Sequence, residues 1–485
     1  MRARRAVIIG GGLGGLASGL RLQRAGWHVT LLEAGPSFGG KMNRWSSQGF
    51  IFDTGPSLIT MPWVFEETFA AAGSVLREHV ELMRLETLAD YRFDDGAAFT
   101  HSTSLPHWLA TMRRVAPHDW DGFLRFQRLG ARLFELSQRT FLARTPYEPP
   151  ARGDLGLLRD FPLRHAWGNY HAAVTHHFRS PYLVQLFDRY PTYVGSSPYQ
   201  SPATLALIPF LETAFGGFAV RGGLYRIVEG LVALSRANGV ELCAHSPAAA
   251  IEHHAGHVTG VRLTSGERLP ADVVVMNGDA AGIAALLGTA PAPARSRSMS
   301  GFVMLLGIGR ELPQLAQHSV YFSADYRHEF SQIFDARRFP DDPTVYVNAP
   351  SRGDRSVAPP GCETLFVMAN APAAGVWDAP HIDAARRAVF ARLHKSGFPD
   401  IERDLRVCDI WTPQRLAERY RMPDGAIYGA DSHGWRNAFL RPPNRHGGVR
   451  GLYLAGGTTH PGGGTPTVLL SAKITCQLID RDHQP

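Results

Sequence analysis

Along the first fifty residues the period of the apolar positions changes twice. Ala6–Ile9 is a continuous apolar run of strand length. Leu16, Leu20 and Leu22 then recur at helical spacing, and Val29–Leu32 is apolar throughout. The pattern predicts strand, helix, strand, with the helix beginning near Gly14 and closed by Gly26. From about residue 90 to 215 aromatic and leucine-rich helical patterns dominate, clearest over Trp120–Leu136 and Tyr182–Phe187, and the Pro149-Pro150 pair marks a loop. The run Leu205–Leu211 fits either a core element or a helix lying in the interface of a bilayer. Strand-like alternation returns between 216 and 279, around Val240–Leu242, Ala249–His253, His257–Leu263 and Asp272–Met276. Turns at Ala255-Gly256 and Ser265-Gly266 separate these segments. Further strands are expected at Phe302–Leu306, Thr344–Asn348 and Thr364–Ala369, with a polar, proline-rich loop over Pro350–Gly361. A last buried strand, Gly451–Ala455, precedes a helix in which Thr465 is the expected N-cap and Pro466 the first helical residue.

Glycines punctuate this pattern at chemically telling places. Gly10, Gly12 and Gly15 stand at G-x-G-x-x-G spacing between the first strand and its helix. Gly10 permits the tight turn, Gly12 admits a pyrophosphate to backbone N–H groups, and Gly15 lets helix and strand pack closely. Glu33 ends the second strand about twenty residues on, where a carboxylate reaches a ribose hydroxyl pair. The unit is a dinucleotide cradle, with phosphate on the positive end of the helix. Gly39-Gly40-Lys41 and Asp53-Thr54-Gly55-Pro56-Ser57 add turns through which a bulky ligand can be approached closely. At the far end Gly456-Gly457 and Gly462-Gly463-Gly464 lead into another helix N-terminus, a second site suited to negative charge. Two such signals at opposite ends of one chain imply a single ligand longer than a mononucleotide.

Composition narrows the class. The 485 residues are 44% hydrophobic and 19% charged, ordinary for a globular chain long enough for two domains. A net charge of +7 is spread over scattered arginines with only three lysines, so no nucleic-acid arm is expected; the arginines read first as a solvated face, with modest attraction to an anionic bilayer surface as the functional alternative. Four dispersed cysteines give neither a disulfide framework nor a thiolate metal site and fit a reducing compartment. His253, His254 and His257 flank a hairpin turn without acidic companions, so they read as solvated and no metal is expected. The basic, apolar start has the outline of a signal peptide, but the glycine register and Glu33 account for the same residues, so export is not expected. No stretch approaches the roughly eighteen apolar residues of a membrane span, so membrane contact is expected to be peripheral, on the cytoplasmic side.

The motifs together resemble the bacterial-type phytoene desaturase family, FAD-dependent carotenoid desaturases of the amine-oxidase-like flavoprotein superfamily. The likeness runs through the glycine turn with Glu33, Gly39-Gly40-Lys41, Asp53–Ser57, Arg221-Gly222-Gly223, Asn277-Gly278-Asp279, Tyr346–Ser351, Gly425–Gly429, Phe439–Asn444 and the tail Leu452–Leu470. Arg189–Tyr199 looks more like the subgroup that desaturates acyclic carotenoids at C-3′,4′. The resemblance implies an α/β fold: a discontinuous Rossmann-type FAD domain (1–90, 216–290 and 441–485) and a mixed α+β substrate domain (91–215 and 291–440) with a helical, membrane-associated part. It implies Glu33 on the adenosine ribose, and the turns at Gly12 and Gly40-Lys41 on the pyrophosphate. Gly55, Pro56 and Ser57 would adjoin the cofactor, with the Ala248–Ala250 backbone near the adenine. Gly457, Gly463, Gly464, Thr465 and Thr467 would lie along the flavin. Lys41 stands where many superfamily relatives carry arginine, which makes a phosphate contact less directional. Ala248 replaces a branched apolar residue common in the family.

On this reading a C=C bond enters an acyclic polyene by hydride transfer to FAD, and a quinone or dioxygen takes the electrons. Asp53, His460 and Arg441 are the candidate catalytic side chains because they adjoin motifs expected near the flavin. Alternatives are a carotenoid isomerase or saturase, a soluble amine oxidase, and a non-enzymatic carotenoid-binding protein. A pure NAD dehydrogenase would leave the 456–464 glycine turns without a task.

Overall fold

The computed structural model describes residues 4–148, 168–291 and 295–484; the expected Pro149-Pro150 loop lies outside them. Apolar strands that alternate with helices in sequence pair in parallel, because only a crossover through a helix returns the chain in the same direction. Among the described residues five such strands make one sheet, in the order Leu452–Leu454, Val273–Met276, Arg5–Ile9, His28–Leu32, Glu241–Cys243. Its first strand is the centre, Ile8 lying beside Leu31 on one side and Val275 on the other. The residues furthest apart in the chain thus share a sheet. Helix Leu13–Arg24 packs on one face, against the C-terminal helix Thr465–Asp482 and helix Tyr225–Ala237. A three-stranded antiparallel sheet, Ala248–His254, His257–Leu263 and Arg268–Pro270, contributes to the core on the other face.

A second, mixed sheet has seven strands in the order Leu405–Trp411, Ser300–Ile308, Glu363–Ala371, Val345–Asn348, His318–Tyr321, Thr87–Arg92, Ala98–Ser102. Only His318–Tyr321 and Thr87–Arg92 pair in parallel. The last two strands correct the expectation that helical structure begins near residue 90. In Ala98–Ser102 Phe99 and His101 alternate inward, and period two buries them in a hairpin.

Helices Leu105–Val115, Trp120–Arg139, Tyr170–His177, Pro181–Asp188 and Leu207–Phe215 cover this sheet's end around an aromatic core. The apolar run 205–211 crosses from a short 3-10 turn into helix Leu207–Phe215, which packs on Trp120–Arg139. The approach is close: a Cβ at Gly130 would lie 2.7 Å from the Ala206 carbonyl. No helix among the described residues is long and apolar enough to cross a membrane.

Candidate active site and cofactor cradle

Two helices open on one cavity, and both are capped by glycine. Gly12 precedes Leu13–Arg24 and Gly464 precedes Thr465–Asp482, neither with a side-chain cap. First-turn N–H groups are therefore left for a ligand. Thr465 is the first helical residue rather than the expected N-cap, because Gly464 at φ +120° takes that place. The cavity holds about 1100 Å³, more than the roughly 300–1,000 Å³ of a site for one drug-sized ligand. Gly10, Gly12, Glu33, Gly40, Lys41, Gly55, Pro56, Ser57 and Ala248 all line it, as do Gly457, Gly463, Gly464, Thr465 and Thr467.

Glu33 ends its strand with one carboxylate oxygen accepting from the Gly11 N–H (2.9 Å) and the other from the Gly35 N–H (2.7 Å). That fixes the carboxylate at the cavity rim. Gly15 lies behind the cradle: a Cβ there would come 2.1 Å from the Gly10 carbonyl, so glycine is what lets helix approach strand. At Gly12 a Cβ would meet Asn277 Oδ1 at 3.0 Å, and at Gly40 the Gly12 Cα at 3.2 Å. Asn277 also donates from Nδ2 to the Ala455 carbonyl (2.8 Å), joining the two chain ends beneath the ligand space. Sequence reasoning took Asn277 only as part of a motif; its position at the end of a central strand was the available signal. Tyr428 closes the opposite side, its ring where a Gly463 Cβ would be. Burial pushes the Tyr428 hydroxyl up to about 12.

Of the charged candidates, Arg441 and Lys41 line the cavity, whereas Asp53 and His460 do not. Asp53 is not on the cavity wall. Its carboxylate accepts from the Leu224 and Tyr225 N–H groups (2.7 and 3.2 Å) and caps helix Tyr225–Ala237 from outside the helix. Burial raises it to about 6 against the pull of those two bonds. His460 also turns away: Nε2 meets the Arg144 carbonyl at 2.9 Å and the ring stands edge-on to Phe141. Burial depresses its pKa to about 4, so it is a neutral tether. Arg441 does line the cavity, but Nη1 donates to the Tyr428 and Ala430 carbonyls (3.0 and 3.1 Å) and Nη2 to Ser432 (2.8 Å). Burial lowers it to about 10, which still leaves a cation that cannot accept a proton at neutral pH. It holds a loop. Lys41, expected at the pyrophosphate, donates its ammonium to the Ile427 carbonyl instead of standing free at the glycine turn. Burial lowers its pKa, while the Asp279 carboxylate works the other way.

These features fit FAD. The carboxylate at the 33–35 end suits a ribose, the glycine turn a pyrophosphate, and the second glycine-capped helix an electron-rich ring. Beyond the 456–468 turn the cavity walls become apolar, with Met61, Phe141, Leu207, Ile208 and Met368. Fold and site together define a flavoprotein whose cofactor cradle runs into a greasy chamber.

The model of the flavin-containing amine oxidoreductase family matches residues 13–480. The chain belongs to that family. It is 31% identical to a 4,4′-diapolycopene oxygenase of Methylomonas sp over 99% of both chains. It is 33% identical to a 1-hydroxycarotenoid 3,4-desaturase of Flavobacterium sp. over 98% of this chain and 99% of that one. Among solved structures, an oxidoreductase from Methanosarcina mazei shares the fold, with a TM-score of 0.65 at 17% identity, covering 98% of this chain and all of that one.

Proposed function

We propose that the protein is an FAD-dependent desaturase of an acyclic carotenoid, acting near the chain end at C-3′,4′. One observation carries the reading: the dinucleotide cradle and an apolar chamber line a single cavity of about 1100 Å³. FAD bound in the cradle supplies the hydride acceptor. The chain's own part is to position and exclude water. Leu207, Ile208 and Met368 grip the polyene by shape, since a hydrocarbon segment offers nothing to hydrogen-bond. Tyr346 borders the same space, its hydroxyl 2.6 Å from Ser57 Oγ and 2.7 Å from His318 Nδ1, so the wall beside the 54–57 turn is rigid. Two relatives, one named as a carotenoid desaturase and one as a carotenoid oxygenase, support a carotenoid substrate.

The polyene is lipid-borne, and a peripheral seat on the cytoplasmic face of an anionic bilayer is part of the proposal. Its support is the exposed Leu105 and Leu124 among exposed Arg113, Arg114, Arg125 and Arg128 on adjoining helices, and four unpaired cysteines. Electrons pass on to a quinone or dioxygen. The oxygenase reading stays open because one relative bears that name. Product mass decides. Incubated with a defined acyclic carotenoid, the FAD-loaded protein is expected to yield a product two hydrogens lighter with absorption at longer wavelength. Oxygen gain, unchanged mass or two added hydrogens would instead establish an oxygenase, an isomerase or a saturase.

A further inference from the structure

One face of the seven-stranded sheet floors the apolar chamber. Met368, Tyr346, His318 and Val320 reach it from three adjacent strands, placed there by the period of two. Of these only His318 carries a base. It is 1% exposed, and its Nδ1 meets the Tyr346 hydroxyl at 2.7 Å. That hydroxyl in turn meets Ser57 Oγ at 2.6 Å, in the turn expected beside the cofactor. The His318 Nε2 is buried and has no hydrogen-bond partner among the described residues. Arg189 borders the same space, its guanidinium among the rings of Tyr193, Tyr91 and Tyr190 at 5.0, 5.6 and 5.9 Å, with Glu212 as the nearby countercharge. Burial, with that cation adding to it, holds the imidazole down to about 3, so the ring is neutral near pH 7.

Desaturation removes a proton as well as a hydride, and Asp53, His460 and Arg441 are each bonded elsewhere. The carboxylates of the cavity wall among the described residues are Glu33, Asp279 and Glu418. Glu33 is occupied by two N–H groups, Asp279 accepts from the Ala281 N–H (2.9 Å) beside the dinucleotide cradle, and Glu418 is exposed. We propose that His318 is the proton acceptor of the reaction, taking a proton at Nε2 from the polyene carbon next to the one that loses hydride. This rests on the desaturase reading and deepens it. With Nδ1–H donating to the Tyr346 oxygen, and Tyr346 donating to Ser57, the lone pair is left on Nε2, the atom without a partner. As hydride leaves one carbon for FAD, the C–H bond on its neighbour breaks. The electron pair of that bond becomes the new C=C bond and the proton goes to Nε2. The imidazolium gives the proton to water once the product has left. A weak base suffices, because a carbon beside one that is losing hydride is strongly acidic. Tyr346 is the positioning residue: its hydroxyl fixes the tautomer and the tilt of the ring.

The test is a single anaerobic turnover of a defined acyclic carotenoid, without electron acceptor, by the FAD-loaded wild type, His318→Asn and His318→Ala. Product is read by chromatography, and carotenoid affinity is measured alongside. Asparagine keeps a partner for Tyr346 but puts no base at the Nε2 position. Both substitutions are expected to slow the turnover by about 10²- to 10⁴-fold, with affinity within about threefold of wild type. Imidazoles added to His318→Ala should restore the rate, and more basic ones should restore more of it. The wild-type rate should be flat from about pH 6 to pH 9, because the accepting group is already neutral there. An asparagine variant within about threefold of wild type in rate overturns the base and keeps the desaturase. A wild-type rate that climbs with a midpoint near the ordinary histidine value of about 6.5 does the same, and it decides even if neither variant accumulates as yellow protein. Weakened carotenoid affinity with the rate at saturation unchanged assigns His318 to packing and also overturns the proposal. No product from the wild type overturns the desaturase reading and the proposal with it.

Discussion

Glu329 is 1% exposed, and no cation pairs with its carboxylate among the described residues. One oxygen accepts from Ser323 and Thr344 (2.7 Å each), and burial nonetheless raises the group to about 7. Between its ordinary range and pH 7 the folded protein holds a proton that the unfolded chain releases. Its contribution to stability is therefore complete below about pH 4.5 and is lost as pH rises through 7. Glu329→Gln keeps an acceptor for both hydroxyls and carries no charge at any pH. Its melting temperature relative to wild type should rise between pH 5 and pH 8, by an amount corresponding to roughly 2 kcal/mol. Thermal unfolding at the two pH values checks this, and an equal difference at both refutes it. Nothing in the sequence singled out Glu329, and the same blindness misjudged Asp53 and His460. Adjacency to a motif does not give side-chain direction. In Phe50–Asp53 the aromatics Phe50 and Phe52 face the core, so Asp53 lies on the opposite side with Ile51, away from the ligand space. Arg189 sat in a quoted motif, but its ring partner Tyr91 and its countercharge Glu212 come from remote segments that only the fold assembles.

Element by element, the chain was most legible where a strand passes through glycine into a helix. Periodicity and glycine spacing are both local properties, and the first strand, its helix and the closing C-terminal helix follow from them. The hairpin over Thr87–Ser102 was not legible, since short alternating segments beside strong helical patterns carry little weight until a sheet edge receives them. The glycines themselves divide by what they touch. At Gly15 a Cβ would sit 2.1 Å from a backbone oxygen, which no rotamer change relieves. At Gly457 the nearest atoms, Gly463 Cα and Val468 Cγ2, are 3.5 and 3.6 Å away, and the φ is not left-handed. Gly15→Ala should therefore abolish soluble, yellow protein or lower its melting temperature steeply. Gly457→Ala should accumulate normally and melt within a few degrees of wild type. Expression yield and thermal unfolding of the pair decide it, and comparable damage at both positions would mean the strand–helix contact does not limit the cradle.

For the whole molecule the question is how a water-insoluble polyene reaches an apolar chamber within a protein of net charge +7. Helix Trp120–Arg139 offers a route. Its outer side exposes Leu124, Arg125, Arg128 and Arg132, and just past its end Phe141 and Leu142 line the cavity. The neighbouring helix Leu105–Val115 adds Leu105, 51% exposed, with Arg113 and Arg114. Apolar side chains flanked by arginines suit the headgroup boundary of an anionic bilayer, each cation contributing about 1 kcal/mol at low salt. Purified protein is expected to cosediment with vesicles containing phosphatidylglycerol and to be released as salt rises or anionic lipid is withdrawn. Replacing both Leu105 and Leu124 by aspartate should lower the bound fraction several-fold. Turnover of detergent-dispersed carotenoid should persist, because neither residue lines the cavity. Were the doubly substituted protein to pellet as fully as wild type, this face would not be the one that meets the membrane, and the polyene would have to enter elsewhere.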